Sequence, residues 1–220
     1  MNGPENLRYF AAMNSSLEPK NTALILVDVQ NDFFHPEGAL VRSGFELTKR
    51  RSFVESLIKL CDSCRDSGML MVSSSFTLIA DTKNAALVPL FLKDLGVKLV
   101  RGDFQVSKWG HQTIEEIQPV NYVIEKTGPS AFFRTELDII LRHHNISNVV
   151  IAGLNGTRSV VATAYDALSL GLQPIVISDG STDIDEEGHE KLMDALQGVF
   201  DIRKCNDFVA NLNQVSQSAS

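Results

Sequence analysis

Residues 148–167, NVVIAGLNGTRSVVATAYDA, decide the fold of this chain. NVVIA is an apolar, β-branched run of strand length, the glycines and Asn155 mark a turn, and a helical pattern follows. The stretch reads as a buried strand, a sharp turn and a helix whose first turn carries Ser159. Such a turn presents one side chain, together with the unpaired N–H groups of a helix start, to whatever lies beyond the strand's carboxyl end. A nucleophile with an oxyanion hole is built in this way.

Working outward, two more apolar runs end in a charged residue. TALILVDVQNDF places Asp28 at the end of one, and NYVIEKTGPSAF places Lys126 at the end of another. Apolar runs at 22–29, 69–75, 97–100, 121–125, 147–153 and 173–178 alternate with helical patterns at about 48–66, 84–94, 135–144, 157–170 and 186–198. A short last strand is expected near Phe200 to Arg203. Near-continuous apolar strands separated by helices predict an α/β fold: a doubly wound, mainly parallel six-stranded sheet flanked by helices on both faces. One domain is expected over 21–210, between a loosely held N-terminal extension, 1–20, and a polar C-terminal tail, 211–220. Sheets of this kind bind ligands beyond the carboxyl ends of their strands, where Asp28, Lys126 and Ser159 all fall.

With 44% apolar residues, 21% charged residues and a formal charge of −7, the surface would repel phosphate backbones, so no nucleic-acid partner is expected. No signal-peptide pattern and no run of about 18 apolar residues is present, which predicts no membrane association and a cytoplasmic location. Cys61, Cys64 and Cys205 are few and odd in number, so a disulfide framework is not expected. Cys61 and Cys64 have redox-motif spacing but fall late in the helical pattern SFVESLIKLCDSCRDSG, away from the helix N-terminus that would acidify a thiol. They read as one buried and one half-buried thiol on a helix face. His111, His143, His144 and His189 form no metal-ligand pattern, and no metal or other cofactor is expected.

Taken together, the three strand-end motifs resemble the isochorismatase-like hydrolase superfamily, the cysteine hydrolases that include nicotinamidases, N-carbamoylsarcosine and ureidoacrylate amidohydrolases, and isochorismatases proper. The resemblance runs from about Thr22 to Phe208. On it, Asp28 of VDVQNDF falls on the general base, and Lys126 of KTGPSAFFRTELDIILR falls on the catalytic lysine, followed by the family's Ser130, Phe132, Thr135 and Leu137. AGLNGTRSVVATAYDA aligns with the third motif and puts Ser159 where the family carries its nucleophilic cysteine. The resemblance implies an oxyanion hole from the backbone N–H groups of Asn155 and Ser159, a cis peptide at Leu154–Asn155, a small-molecule substrate and a homo-oligomer. Phe33, Trp109 and Phe132, with Gln30, are the residues expected to line the substrate pocket. The segment SSSFTLIADTKN lacks the histidines with which the family's nicotinamidases hold a metal.

The serine is the departure. A hydroxyl is a far weaker acid than a thiol, and an Asp–Lys pair without histidine suits a thiolate. Three readings follow. The first is a hydrolase of C–N bonds other than peptide bonds, acting on a small amide or ureido compound and present as a Cys-to-Ser form. The second is an isochorismatase-type vinyl ether hydrolase that needs Asp28 but no covalent nucleophile. The third is a pseudoenzyme that binds a small ligand. Val160 and the Thr163–Ala164 pair keep the frame that follows the amidase cysteine, which favours the first.

Overall fold

The central strands are apolar along their whole length because both faces are covered. β1 (Thr22–Val27), β2 (Leu70–Phe76) and β4 (Asn148–Gly153) are buried at every position. With β3 (Tyr122–Lys126), β5 (Gln173–Ser181) and β6 (Asp201–Arg203) they form one six-stranded sheet in the order β3-β2-β1-β4-β5-β6. Every pairing is parallel. The computed structural model describes residues 17–45, 49–83 and 85–218.

Alternate residues of β1 serve opposite faces. Leu24 and Leu26 pack against α3 (Arg50–Asp66) and α8 (Cys205–Ser218) through Leu57, Leu60, Phe208 and Leu212. Ala23, Ile25 and Val27 join the other core, with α5 (Leu137–His143), α6 (Val161–Ser169) and α7 (Glu186–Leu196) contributing Leu141, Ala164 and Met193. Asp185 caps α7 by accepting from the Gly188 N–H at 3.0 Å. Short helices α1 (Asn31–Phe34), α2 (Ala39–Arg42) and α4 (Leu90–Asp94) lie in the connections.

From β1 the chain builds outward to β3, then returns to place β4 against the free side of β1. The order reverses between β1 and β4, and a crevice opens at such a switch point. Gly153 lets the two strands close there. Its φ is +137°, and a Cβ would lie 2.0 Å from the Val27 carbonyl oxygen.

Several sequence expectations need correction. Residues 97–100 are not a strand: Val97 and Leu99 pack on the core, but the Lys98 and Val100 N–H groups donate to the Ser43 hydroxyl and the Asp103 carboxylate, so no ladder forms. The helix expected over 84–94 shrinks to Leu90–Asp94, because Ala80 and Ala86 form a bridge just before it. The tail from 211 is not loose as far as Ser218, since α8 continues through it and Leu212 is buried. Of the N-terminal extension, 1–16 lie outside the described residues, while Pro19–Asn21 form a 3₁₀ turn. Cys61 and Cys64 are both fully buried. Among the described residues no helix is long and apolar enough to cross a membrane.

Candidate active site

Asp28 follows β1 directly and takes a left-handed backbone, φ +58°, while its N–H donates to the Ser74 carbonyl at 2.9 Å. This turns the carboxylate toward the Lys126 ammonium. Lys126 ends β3, two strands away, and its ammonium reaches across β2 to donate to Asp28 Oδ2 at 3.0 Å and to the Gly128 carbonyl at 3.1 Å. The same ammonium lies 3.5 Å from Ser159 Oγ and 5.8 Å from the centre of the Phe76 ring. Asp28 and Lys126 are each 1% exposed and Ser159 5%. The three residues singled out from separate strand ends therefore meet in one buried cluster. Charge balances within the pair, which is how buried ions are tolerated. Among the described residues Asp28 Oδ1 has no hydrogen-bond partner. A buried acceptor left unmatched costs about 1–3 kcal/mol, and this one is available to an incoming proton.

The turn that carries Ser159 differs from expectation in two respects. The Leu154–Asn155 peptide is trans; among the described residues the cis bond is Gln118–Pro119. Asn155 instead reverses the chain with φ 56° and ψ 51°, and residues Gly156–Val160 wind as one π-type turn into α6. The Asn155 carbonyl consequently accepts from the N–H groups of Arg158, Ser159 and Val160 at 2.9, 2.7 and 3.3 Å. Gly156 N–H donates to the Thr182 carbonyl, and Thr157 N–H and hydroxyl donate to Asp183 Oδ2. Of the two amides expected to form an oxyanion hole, that of Ser159 is thus engaged. The Asn155 N–H makes no backbone hydrogen bond among the described residues, and its side-chain amide approaches Asp28 Oδ2 at 3.4 Å.

The expected pocket walls divide. Gln30 is fully buried and spends its amide on backbone, donating to the Phe76 and His111 carbonyls and accepting from the Phe76 N–H. It braces the turn after β1 and presents nothing to a ligand. Phe33 is drawn into the core, with its ring 4.8 Å from Phe104 and 6.4 Å from Phe76. Phe132 packs among α5, α6 and β3 residues of the second core. Trp109 alone is well exposed, edge-on to His35 at 4.7 Å. Aromatic side chains close to a cleft in sequence are natural candidates for its rim, but the core has the stronger claim on them.

Other positions carry no local signal. Thr163 accepts from the Ala131 N–H and donates to the Ser159 carbonyl, tying the Lys126 loop to the Ser159 turn. His111 is buried against Thr77, whose hydroxyl donates to the Ser75 carbonyl; Nε2 of His111 must therefore carry the proton it shares at 2.8 Å. Burial pushes the His111 pKa down, in keeping with a neutral ring. Phe76 reaches the site only through folding, 5.8 Å from the Lys126 ammonium.

A sequence model of the isochorismatase domain matches residues 22–207. A cysteine hydrolase from Pseudomonas syringae pv. phaseolicola 1448A superposes with a TM-score of 0.76 at 18% identity, covering 90% of this chain and 94% of that one. An isochorismatase-like hydrolase from Alkaliphilus metalliredigens gives 0.68 at 22% identity, with coverages of 86% and 98%. The N-carbamoylsarcosine amidase of Thermoplasma acidophilum gives 0.63 at 27% identity, with 84% and 96% covered. The two matches below 25% identity concern the fold alone.

Proposed function

Because the chain belongs to the isochorismatase family of hydrolases, we propose that its site is built to cleave a C–N bond in a small amide or ureido compound. The observation that carries this reading is the Asp28–Lys126 ion pair, set 3.5 Å from the Ser159 hydroxyl with one carboxylate oxygen unpartnered. A carboxylate held by an ammonium is placed to accept a proton from the group at 159. The anion so formed attacks the carbonyl carbon, the C–N bond breaks with the leaving amine taking that proton, and water releases the acyl group. Lys126 balances negative charge on the attacking atom, and the Asn155 N–H offers a donor to the carbonyl oxygen. The 27% identity to an N-carbamoylsarcosine amidase supports this class of bond.

With a hydroxyl at 159 the machinery is a poor acyl-transfer catalyst, since Ser159 has a carboxylate base but no histidine. Ser159→Cys is expected to raise ammonia release from N-carbamoylsarcosine and similar ureido compounds from background to a measurable rate. Asp28→Asn in that variant should return it to background. No gain in Ser159→Cys would overturn the amidase reading. The hydroxyl itself favours a second reading, hydrolysis of an enol ether of isochorismate type, which needs no covalent nucleophile. That reading expects pyruvate release by the unsubstituted chain and its loss in Asp28→Asn.

A further inference from the structure

We propose that Arg158 is an anion-recognition point at the entrance to this site, so that the favoured ligand carries a carboxylate beside its reacting bond. The inference rests on the preceding reading only in placing that bond at residue 159. Access sets the geometry. Asp28 and Lys126 are sealed from solvent and Ser159 nearly so, whereas Asn155 and Thr157 are half-buried and Arg158 is exposed. The turn that holds Arg158, one residue from Ser159, is therefore an exposed edge of the site.

The guanidinium is positioned but not paired. Its Cζ lies 5.5 Å from the centre of the Phe91 ring, a cation–π contact that fixes the side chain without consuming its N–H donors. Among the described residues Arg158 makes no ion pair. The acid bonded to the neighbouring residue, Asp183, is occupied by Thr157 at 2.6 and 3.0 Å. Phe91 meets Phe76 edge-on at 5.6 Å, and Phe76 lies 5.8 Å from the Lys126 ammonium. A chain of ring contacts thus links Lys126 to Arg158, with a cation at each end: Phe76 is buried in the core, and half-buried Phe91 is the ring beside the guanidinium. Asp28 neutralises the inner cation, and no described residue neutralises the outer one. A compound with its reacting carbonyl at residue 159 and a planar part against Phe91 would bring an anionic substituent to the guanidinium. A guanidinium suits a carboxylate because its donors match both oxygens.

Calorimetric binding to the full chain tests this with two matched pairs: N-carbamoylglycine against N-carbamoylglycinamide, and benzoate against benzamide. At least one carboxylate should bind the unsubstituted protein about tenfold or more tighter than its neutral partner, and the preference should shrink at high salt. In Arg158→Gln the two members should come within about twofold, with partial recovery in Arg158→Lys, which keeps the charge but not the planar fork. Unchanged melting temperatures of the unliganded variants show that the fold is intact. Equal binding within both pairs, a preference that survives Arg158→Gln, or no measurable binding of either carboxylate would overturn the proposal. Ammonia release by Ser159→Cys is scored separately: carboxylate preference without release would sink the amidase reading and leave the anion site standing.

Discussion

The side chains that could act as nucleophiles occupy two regions built on opposite lines. Cys61 and Cys64 on α3 and Cys205 at the start of α8 are buried in the apolar core, and Cys205 donates its S–H to the Ser56 carbonyl. Burial pushes the Cys61 thiol up to about 12 and Cys205 to about 11, and raises Cys64 as well. At the crevice, by contrast, residue 159 has an ammonium 3.5 Å away and, beyond it, a carboxylate with a free oxygen. The protein keeps its thiols where ionisation is suppressed and a hydroxyl beside a buried ion pair. On the proposed reading, reactivity belongs to the position, and the residue type at 159 is the element out of step with its surroundings.

The largest expected effect is on thiol chemistry. For Cys61, a value of about 12 against an ordinary 9.0 means roughly a thousandfold less thiolate at a given pH. At pH 8, Cys61 of the folded protein should therefore take up iodoacetamide about a thousand times more slowly than in the urea-unfolded chain, and Cys205 about a hundred times more slowly. In Ser159→Cys, mass spectrometry should find rapid modification at position 159 and none at Cys61, Cys64 and Cys205. An introduced thiol as inert as that of Cys61 would erase the contrast between the regions.

Next comes stability. Lys126→Met leaves the Asp28 carboxylate buried without its counter-ion and should cost about 3–5 kcal/mol in urea unfolding. Adding Asp28→Asn should restore much of that, because the uncompensated charge is then gone. A cost below about 1 kcal/mol for Lys126→Met would mean that the pair is well hydrated and the crevice more open than its exposure suggests.

What the sequence disclosed follows the same division. β1 and β4 were legible because strands covered on both faces need unbroken apolar runs, and Asp28 and Ser159 stood out as polar residues at the ends of such runs. Residues 97–100 mislead because an alternating apolar segment has no way to show that its N–H groups are taken by Ser43 and Asp103. Phe33 and Gln30 were legible as neighbours of Asp28, but their direction depends on Phe76, Phe104 and His111, which are remote in sequence. Arg158 was hidden for the same reason: its guanidinium acquires meaning only when Phe91 and Phe76 line up behind it.

A second carboxylate after β1 sharpens the contrast on a smaller scale. Asp32 is as buried as Asp28, yet amides take the place of an ammonium: Phe104 N–H donates to Oδ2 at 2.6 Å and Ala39 N–H to Oδ1 at 3.2 Å. Burial outweighs these bonds and the pull of Arg42, raising the Asp32 pKa above its ordinary 3.8. The folded chain therefore holds this proton to higher pH than the unfolded chain does. The stabilisation is complete below 3.8 and is lost as pH rises through the elevated folded value. The drift can be no steeper than about 1.4 kcal/mol per pH unit for a single proton. Asp32→Asn removes the titration, so urea midpoints measured upward from pH 4 should shift in favour of the variant relative to the unsubstituted protein and level off once the folded carboxyl has ionised. A drift in the opposite sense would mean that the two amides outweigh burial, and that this protein can hold a buried carboxylate ionised by hydrogen bonds as well as by a lysine.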